Sequence, residues 1–162
     1  MKARIVTIGV YGFDEAGFFK ALEDAGVNVF CDIRQRRGMR GKEYAFANSA
    51  RLQARLKEMG IGYKHLKELG VSKELRALQY QKDKKLRIAK RKRTALDPDF
   101  IKAFKETYLS KFDSEEFIKA FGEENKVIAL FCVEREPSAC HRSIVAERLA
   151  NDLGIQIEHI KP

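Results

Sequence analysis

The chain has 162 residues, 44% of them apolar, with only three prolines, and its net charge is +9. That length suits one domain with its own core, and the composition excludes a disordered or collagen-like chain. No apolar run approaches the roughly 18 residues of a membrane span, and the first residues lead straight into a strand-like stretch without a signal-peptide pattern. Three cysteines make no disulfide framework, so reduced thiols in a cytoplasmic protein are the expectation.

In chain order, residues 4–9 read as a short β-branched strand closed by Gly9. Asp14 is placed to cap a helix bearing Phe18, Phe19, Leu22 and Ala25, with Gly26 just past its end. Residues 27–33 form a second strand, so the first thirty residues make one parallel crossover unit. Asn48 or Ser49 opens a helix through Leu52, Leu56 and Met59, and residues 61–66 give a third strand.

Ser72 begins a weakly amphipathic stretch with Leu75, Leu78 and Leu86 that dissolves into basic residues. The span 72–96 is thus a basic helical segment or arm. Asp97-Pro98 restarts helix with Phe100, Phe104, Tyr108 and Phe112, and Asp113 with Glu116 has capping-box spacing before another short helix. Residues 126–133 are nearly all apolar, as in a strand buried on both faces. A last helix carries Ile144, Val145, Leu149 and Leu153, and residues 155–160 alternate as a fifth strand. The pattern predicts a single three-layer α/β/α domain with a five-stranded, mainly parallel sheet, Rossmann-like or flavodoxin-like, in the order 3-2-1-4-5.

In such sheets ligands bind beyond the carboxyl ends of the strands. This sequence puts Gly9 and Tyr11 after strand one, Asp32 and Arg34 after strand two, His65 after strand three, and Cys132, Glu134 and Arg135 after strand four. The run Cys140-His141-Arg142-Ser143 follows, where Pro137 or Ser138 opens the last helix. A helix N-terminus offers unpaired N–H groups to an anion, Arg142 has the fork for phosphate or carboxylate, and Ser143 lies beside it. The same field lowers the pKa of a thiol at Cys140, with His141 as acid or base, which makes these two the candidate catalytic residues. Gly9, Tyr11, Asp32, Arg34, His65, Glu134, Arg142 and Ser143 are the candidate ligand-binding set. The duller readings stay open: Cys140 as a core filler, His141 as a satisfied structural histidine, and Arg142 paired with Asp32. Cys132, Cys140 and His141 offer three metal-ligand types, but adjacent Cys and His seldom aim at one ion, so no metal is expected. The cofactor stays unknown.

The basicity is local. Residues 34–42 hold five basic and no acidic side chains, and residues 82–93 hold eight basic and one acidic, so the remainder is net acidic. Arg36, Arg37, Arg40, Arg87, Arg91 and Arg93 are therefore candidates for contacts to nucleic-acid phosphates, with a solvated face as the alternative.

The residues Thr7-Ile8-Gly9, Asp32-Ile33-Arg34, residues 61–66 with Glu68-Leu69-Gly70, Tyr108, Cys132-Val133-Glu134, Pro137 and Cys140-His141-Arg142-Ser143 give the chain a resemblance from end to end. It resembles the bacterial and archaeal family known as domain of unknown function 488. The lysine-rich run 82–93 departs from that family's pattern. The resemblance implies that Asp32, Arg34, His65, Glu134, Cys140, His141 and Arg142 share a site, and it brings no reaction. The partner expected on the residues is a phosphate-bearing small molecule or nucleic acid, bound or modified at that rim, with no membrane. The alternatives are a non-catalytic nucleic-acid-binding module and a regulator built on Cys/His redox or metal chemistry.

Overall fold

A computed structural model describes residues 3–89, 92–121 and 126–162. Five strands, β1 (Arg4–Gly9), β2 (Val29–Asp32), β3 (Gly62–His65), β4 (Val127–Cys132) and β5 (Ile157–Ile160), form one wholly parallel sheet. Six α-helices connect or follow them: α1 (Glu15–Asp24), α2 (Ser49–Glu58), α3 (Lys73–Lys85), α4 (Pro98–Phe104), α5 (Ser114–Lys119) and α6 (His141–Leu153). A π-helical turn, Lys105–Leu109, continues α4, and a 3-10 turn, Pro137–Ala139, precedes α6.

The caps fall where the side chains call for them. Asp14, Ser72, Asp97 and Asp113 each accept a backbone N–H of the helix they open. Gly26, at φ +68°, takes the left-handed residue past α1 that a side chain resists.

The strand order is 3-2-4-1-5, not 3-2-1-4-5. Strand β4 lies between β2 and β1, with Ala129 opposite both Phe30 and Val6. In both orders β1 and β4 are interior, so their continuous apolar character does not choose between them. The difference lies in the crossovers: β1 to β2 and β4 to β5 each pass one strand position instead of none, and β3 to β4 passes one instead of two. Strands β3 and β5, in which no residue is fully buried, take the edges.

Both faces of the sheet are covered. Phe18 of α1 packs on Phe30 and Phe131, with ring centroids at 6.3 and 5.6 Å. Cys132, which alternation turns to the other face, meets His141 of α6. The chain leaves β2 toward β3 and leaves β4 past β1 toward β5, in opposite directions. The carboxyl ends of β2 and β4 therefore flank a topological switch point.

Candidate functional site

A cavity of about 90 Å³ opens at that switch point. A single water needs roughly 10–15 Å³ on the same measure, so there is room for several waters or one phosphate-sized anion. Strand ends supply Arg34, Cys132 and Glu134, the start of α6 supplies Cys140 and His141, and α3 supplies Arg76, Gln79 and Tyr80.

Asp32 is fully buried and builds the β2 side. Arg34 donates from Nε and Nη2 to its two carboxylate oxygens at 2.9 and 2.8 Å, and Tyr63 Oη donates to Oδ2 at 2.7 Å. The guanidinium lies 4.7 Å above the Phe131 ring. His65 reaches the Arg34 carbonyl through Nε2 at 2.8 Å, which fixes the backbone beneath that side chain. Arg34 is only 2% exposed, and its Nη1 has no hydrogen-bond partner among the described residues. The same holds for Arg76 Nε.

Arg93 builds the opposite wall. It is buried, and it donates to Asp83 at 2.7 Å, to Glu134 Oε1 at 2.8 Å and to the Ala139 carbonyl at 3.2 and 3.3 Å. Gln79 completes the network, donating to Asp83 at 2.8 Å and accepting from the Asp97 N–H at 2.9 Å. Burial opposes the charge of Arg93, but Glu134 and Asp83 outweigh it and hold the pKa above the ordinary arginine value.

The thiols occupy the cavity wall facing α6. Cys140 is the residue preceding α6 and His141 is its first residue. His141 Nδ1 stands 3.8 Å from both Cys132 Sγ and Cys140 Sγ, while Nε2 donates to the Ile33 carbonyl at 3.1 Å. Burial pushes the Cys140 thiol up, but a hydrogen bond with Cys132 and the charges of Arg142 and His141 bring it well below the ordinary value. His141 moves the other way: burial lowers its pKa, and the Cys140 sulfur beside it raises it further than that. Both shifts describe one proton drawn toward the imidazole. Cys31 is the contrast, a core thiol that burial pushes up to about 12.

The remaining predicted residues stand around the cavity and do not line it. Arg142, fully buried, donates from Nη1 to the Glu134 carbonyl at 2.7 Å and from Nη2 to the Arg135 carbonyl at 3.3 Å. It neither pairs with Asp32 nor reaches the cavity; it clamps the turn after β4. Gly9 allows that clamp, because a Cβ there would fall 1.8 Å from the Glu134 oxygen and 2.9 Å from Arg142 Nη1. Ser143 donates to the Cys140 carbonyl at 2.9 Å. Tyr11 packs on Tyr44 with ring centroids 5.2 Å apart. The last helix starts at His141, not at Pro137 or Ser138, because the 3-10 turn comes between.

Of the nucleic-acid candidates, Arg36, Arg40 and Arg87 are exposed and Arg37, half-buried, bonds Tyr63 Oη at 3.4 Å. Arg93 is a buried structural cation, and Arg91 lies outside the described residues. Arg76, Gln79 and Tyr80 escaped the sequence reading. Their signal was the helical spacing of Arg76, Gln79 and Asp83, a polar stripe on a helix that looked solvated.

Fold and site together define an α/β domain with a basic, thiol-bearing cavity at the carboxyl end of a parallel sheet. The chain belongs to the family described as domain of unknown function DUF488, whose model matches residues 16–149. No curated protein and no solved structure matches it. No helix among the described residues is long and apolar enough to cross a membrane.

Proposed function

We propose that this domain binds the phosphate group of a small molecule in the cavity between β2, β4 and α3, with Cys140 and His141 on the wall beside it. One observation carries the reading: four arginines line the cavity, Arg36 and Arg76 together with Arg34 and Arg93, whose ion pairs with Asp32 and with Asp83 and Glu134 hold them rigidly in place. Two of those arginines keep a buried nitrogen with no hydrogen-bond partner among the described residues, Arg34 Nη1 and Arg76 Nε. A buried donor left unmatched costs about 1–3 kcal/mol, and an anion supplies the missing acceptors.

The cavity accepts a phosphate and not the body of a nucleotide, which would lie outside over Arg36 and Tyr80. A purely nucleic-acid-binding role for the basic run 82–93 draws less support, since Arg93 is spent on Asp83 and Glu134.

Calorimetric titration with inorganic phosphate and a nucleoside monophosphate tests the reading. Wild-type protein is expected to bind both. Arg76→Gln removes one charge-assisted partner, worth roughly 1.5–3 kcal/mol, and should weaken binding about tenfold or more. Absence of binding, or equal affinity in the variant, would overturn the proposal. Binding of polynucleotide alone, unchanged by Arg76→Gln, would transfer the function to the basic surface.

A further inference from the structure

We infer that Cys132, Cys140 and His141 form a binding site for a thiophilic divalent cation of the zinc class, with its open position toward the arginine-lined cavity. The three ligand atoms, two sulfurs and one imidazole nitrogen, all lie within 4.8 Å of one another. Zinc bonds of about 2.3 Å to sulfur and 2.0–2.1 Å to nitrogen, at tetrahedral angles, separate sulfur from nitrogen by roughly 3.6 Å. The observed separations of His141 Nδ1 from Cys132 Sγ and from Cys140 Sγ are both 3.8 Å. Both nitrogen–sulfur separations are thus within a few tenths of an ångström of ligand geometry, while the two sulfurs, within 4.8 Å of each other, close toward the roughly 3.8 Å of a zinc-bound pair.

The histidine is already oriented as a ligand. Ile33 offers its carbonyl to Nε2, and a carbonyl only accepts, so Nε2 carries hydrogen and Nδ1 is the nitrogen presented to the sulfurs. A backbone carbonyl on the far ring nitrogen is the usual outer-shell partner of a metal-bound histidine. All three side chains are buried, and each comes from a fixed position: the last residue of β4, the residue capping α6 and the first residue of α6. The objection that neighbouring Cys and His diverge does not hold here, because Cys140 Sγ stands 3.8 Å from His141 Nδ1 where the chain passes from the extended Cys140 (φ −135°, ψ 145°) into the first residue of α6.

The surroundings select the kind of ion. Arg34, Arg76 and Arg93 on the same cavity repel a bare cation, so only an ion that two thiolates neutralise is accommodated. Hard oxygen-seeking ions such as magnesium and calcium are excluded by the donor set, which is two sulfurs and a nitrogen with no oxygen. Three protein ligands leave a fourth position, and the cavity shared by all three residues puts it where the arginines would hold an anion. The cation site stands on the ligand geometry alone, whereas that fourth ligand rests on the phosphate reading above.

The test uses full-length protein, reduced and freed of metal with a chelator, then titrated with cobalt(II). A sulfur-to-cobalt charge-transfer band saturating at one equivalent is expected, retained in Cys31→Ser and weakened tenfold or more in Cys132→Ser and Cys140→Ser. Magnesium should not compete, and zinc should displace cobalt. Wild-type protein provides a readout that no misfolded variant can confuse: zinc should protect Cys132 and Cys140 from alkylation, mapped by mass spectrometry, and leave Cys31 unaffected. Absence of the band with no protection, or a band that survives in both serine variants, overturns the site. Phosphate should perturb the cobalt spectrum. A cobalt band insensitive to phosphate, in a protein that calorimetry shows does not bind it, refutes the phosphate reading and leaves the cation site standing.

Discussion

Arg34 grips Asp32, two residues before it, with two prongs, Nε to Oδ1 at 2.9 Å and Nη2 to Oδ2 at 2.8 Å, and its main-chain N–H reaches Oδ1 at 3.1 Å. Both side chains are at least 98% buried, so the pair acts as one rigid unit at the end of β2. Its rotation is fixed, and the third guanidinium nitrogen, Nη1, has no hydrogen-bond partner among the described residues.

Breaking a buried pair on one side strands the other charge, at about 3–5 kcal/mol. Asp32→Asn is therefore expected to lose stability of that order in urea unfolding. The double variant Asp32→Asn, Arg34→Met should recover much of the loss, because no unpaired cation remains. Wild-type stability in Asp32→Asn would contradict the arrangement.

Two arginines of the same basic run should behave in opposite ways. Arg93→Ala leaves Asp83 and Glu134 without their shared cation and should cost about 3–5 kcal/mol. Arg87, exposed on the surface, should tolerate alanine within about 0.5 kcal/mol. Thermal unfolding of the two variants checks the contrast, and similar midpoints would refute it.

Gly9→Ala places a methyl against the Glu134 carbonyl, a backbone atom that cannot swing away. The loss should exceed the ~1–3 kcal/mol of an overpacked core, and the displaced Glu134 turn should weaken phosphate binding as well. Calorimetry and unfolding on one sample measure both. An alanine variant with native stability would show that the Arg142 clamp has slack.

Much of this was readable from residues. Apolar runs and the Asp14, Asp97 and Asp113 caps located five strands and five helices, and Ser72 marked the start of a sixth that could equally have been read as an arm. Strand order was not readable, since β1 and β4 carry equivalent apolar patterns. The roles of Arg142 and Arg93 were hidden for a related reason: a side chain's partner depends on which strands are neighbours. Placing β4 beside β2 brings the Glu134 turn and Arg93 to the Arg34 cavity and turns Arg142 onto main-chain carbonyls. The convergence of two sulfurs and an imidazole depended on the backbone angles of Cys140, which residue identity does not state.

His159 supplies a pH dependence. Burial lowers its pKa, with the charges of Arg142 and Lys161 acting alongside and Glu147 in opposition; Thr7 Oγ1 is 2.7 Å from Nδ1. The folded state thus binds a proton less readily than the unfolded chain. The stabilisation is complete above the unfolded value of about 6.5 and is lost as the pH falls through the lower folded value. Unfolding midpoints measured between pH 7.5 and roughly 5 should decline more steeply in wild type than in His159→Gln. Parallel profiles would remove the histidine from the account.

A crystal structure of the reduced protein with inorganic phosphate shows directly whether the arginine-lined cavity holds the anion. The account predicts a tetrahedral anion in the cavity within hydrogen-bond reach of both Arg34 and Arg76, absent from crystals of Arg76→Gln. A cavity filled only by water at saturating phosphate, or an anion bound solely at Arg36, Arg40 or Arg87 on the surface, would contradict it.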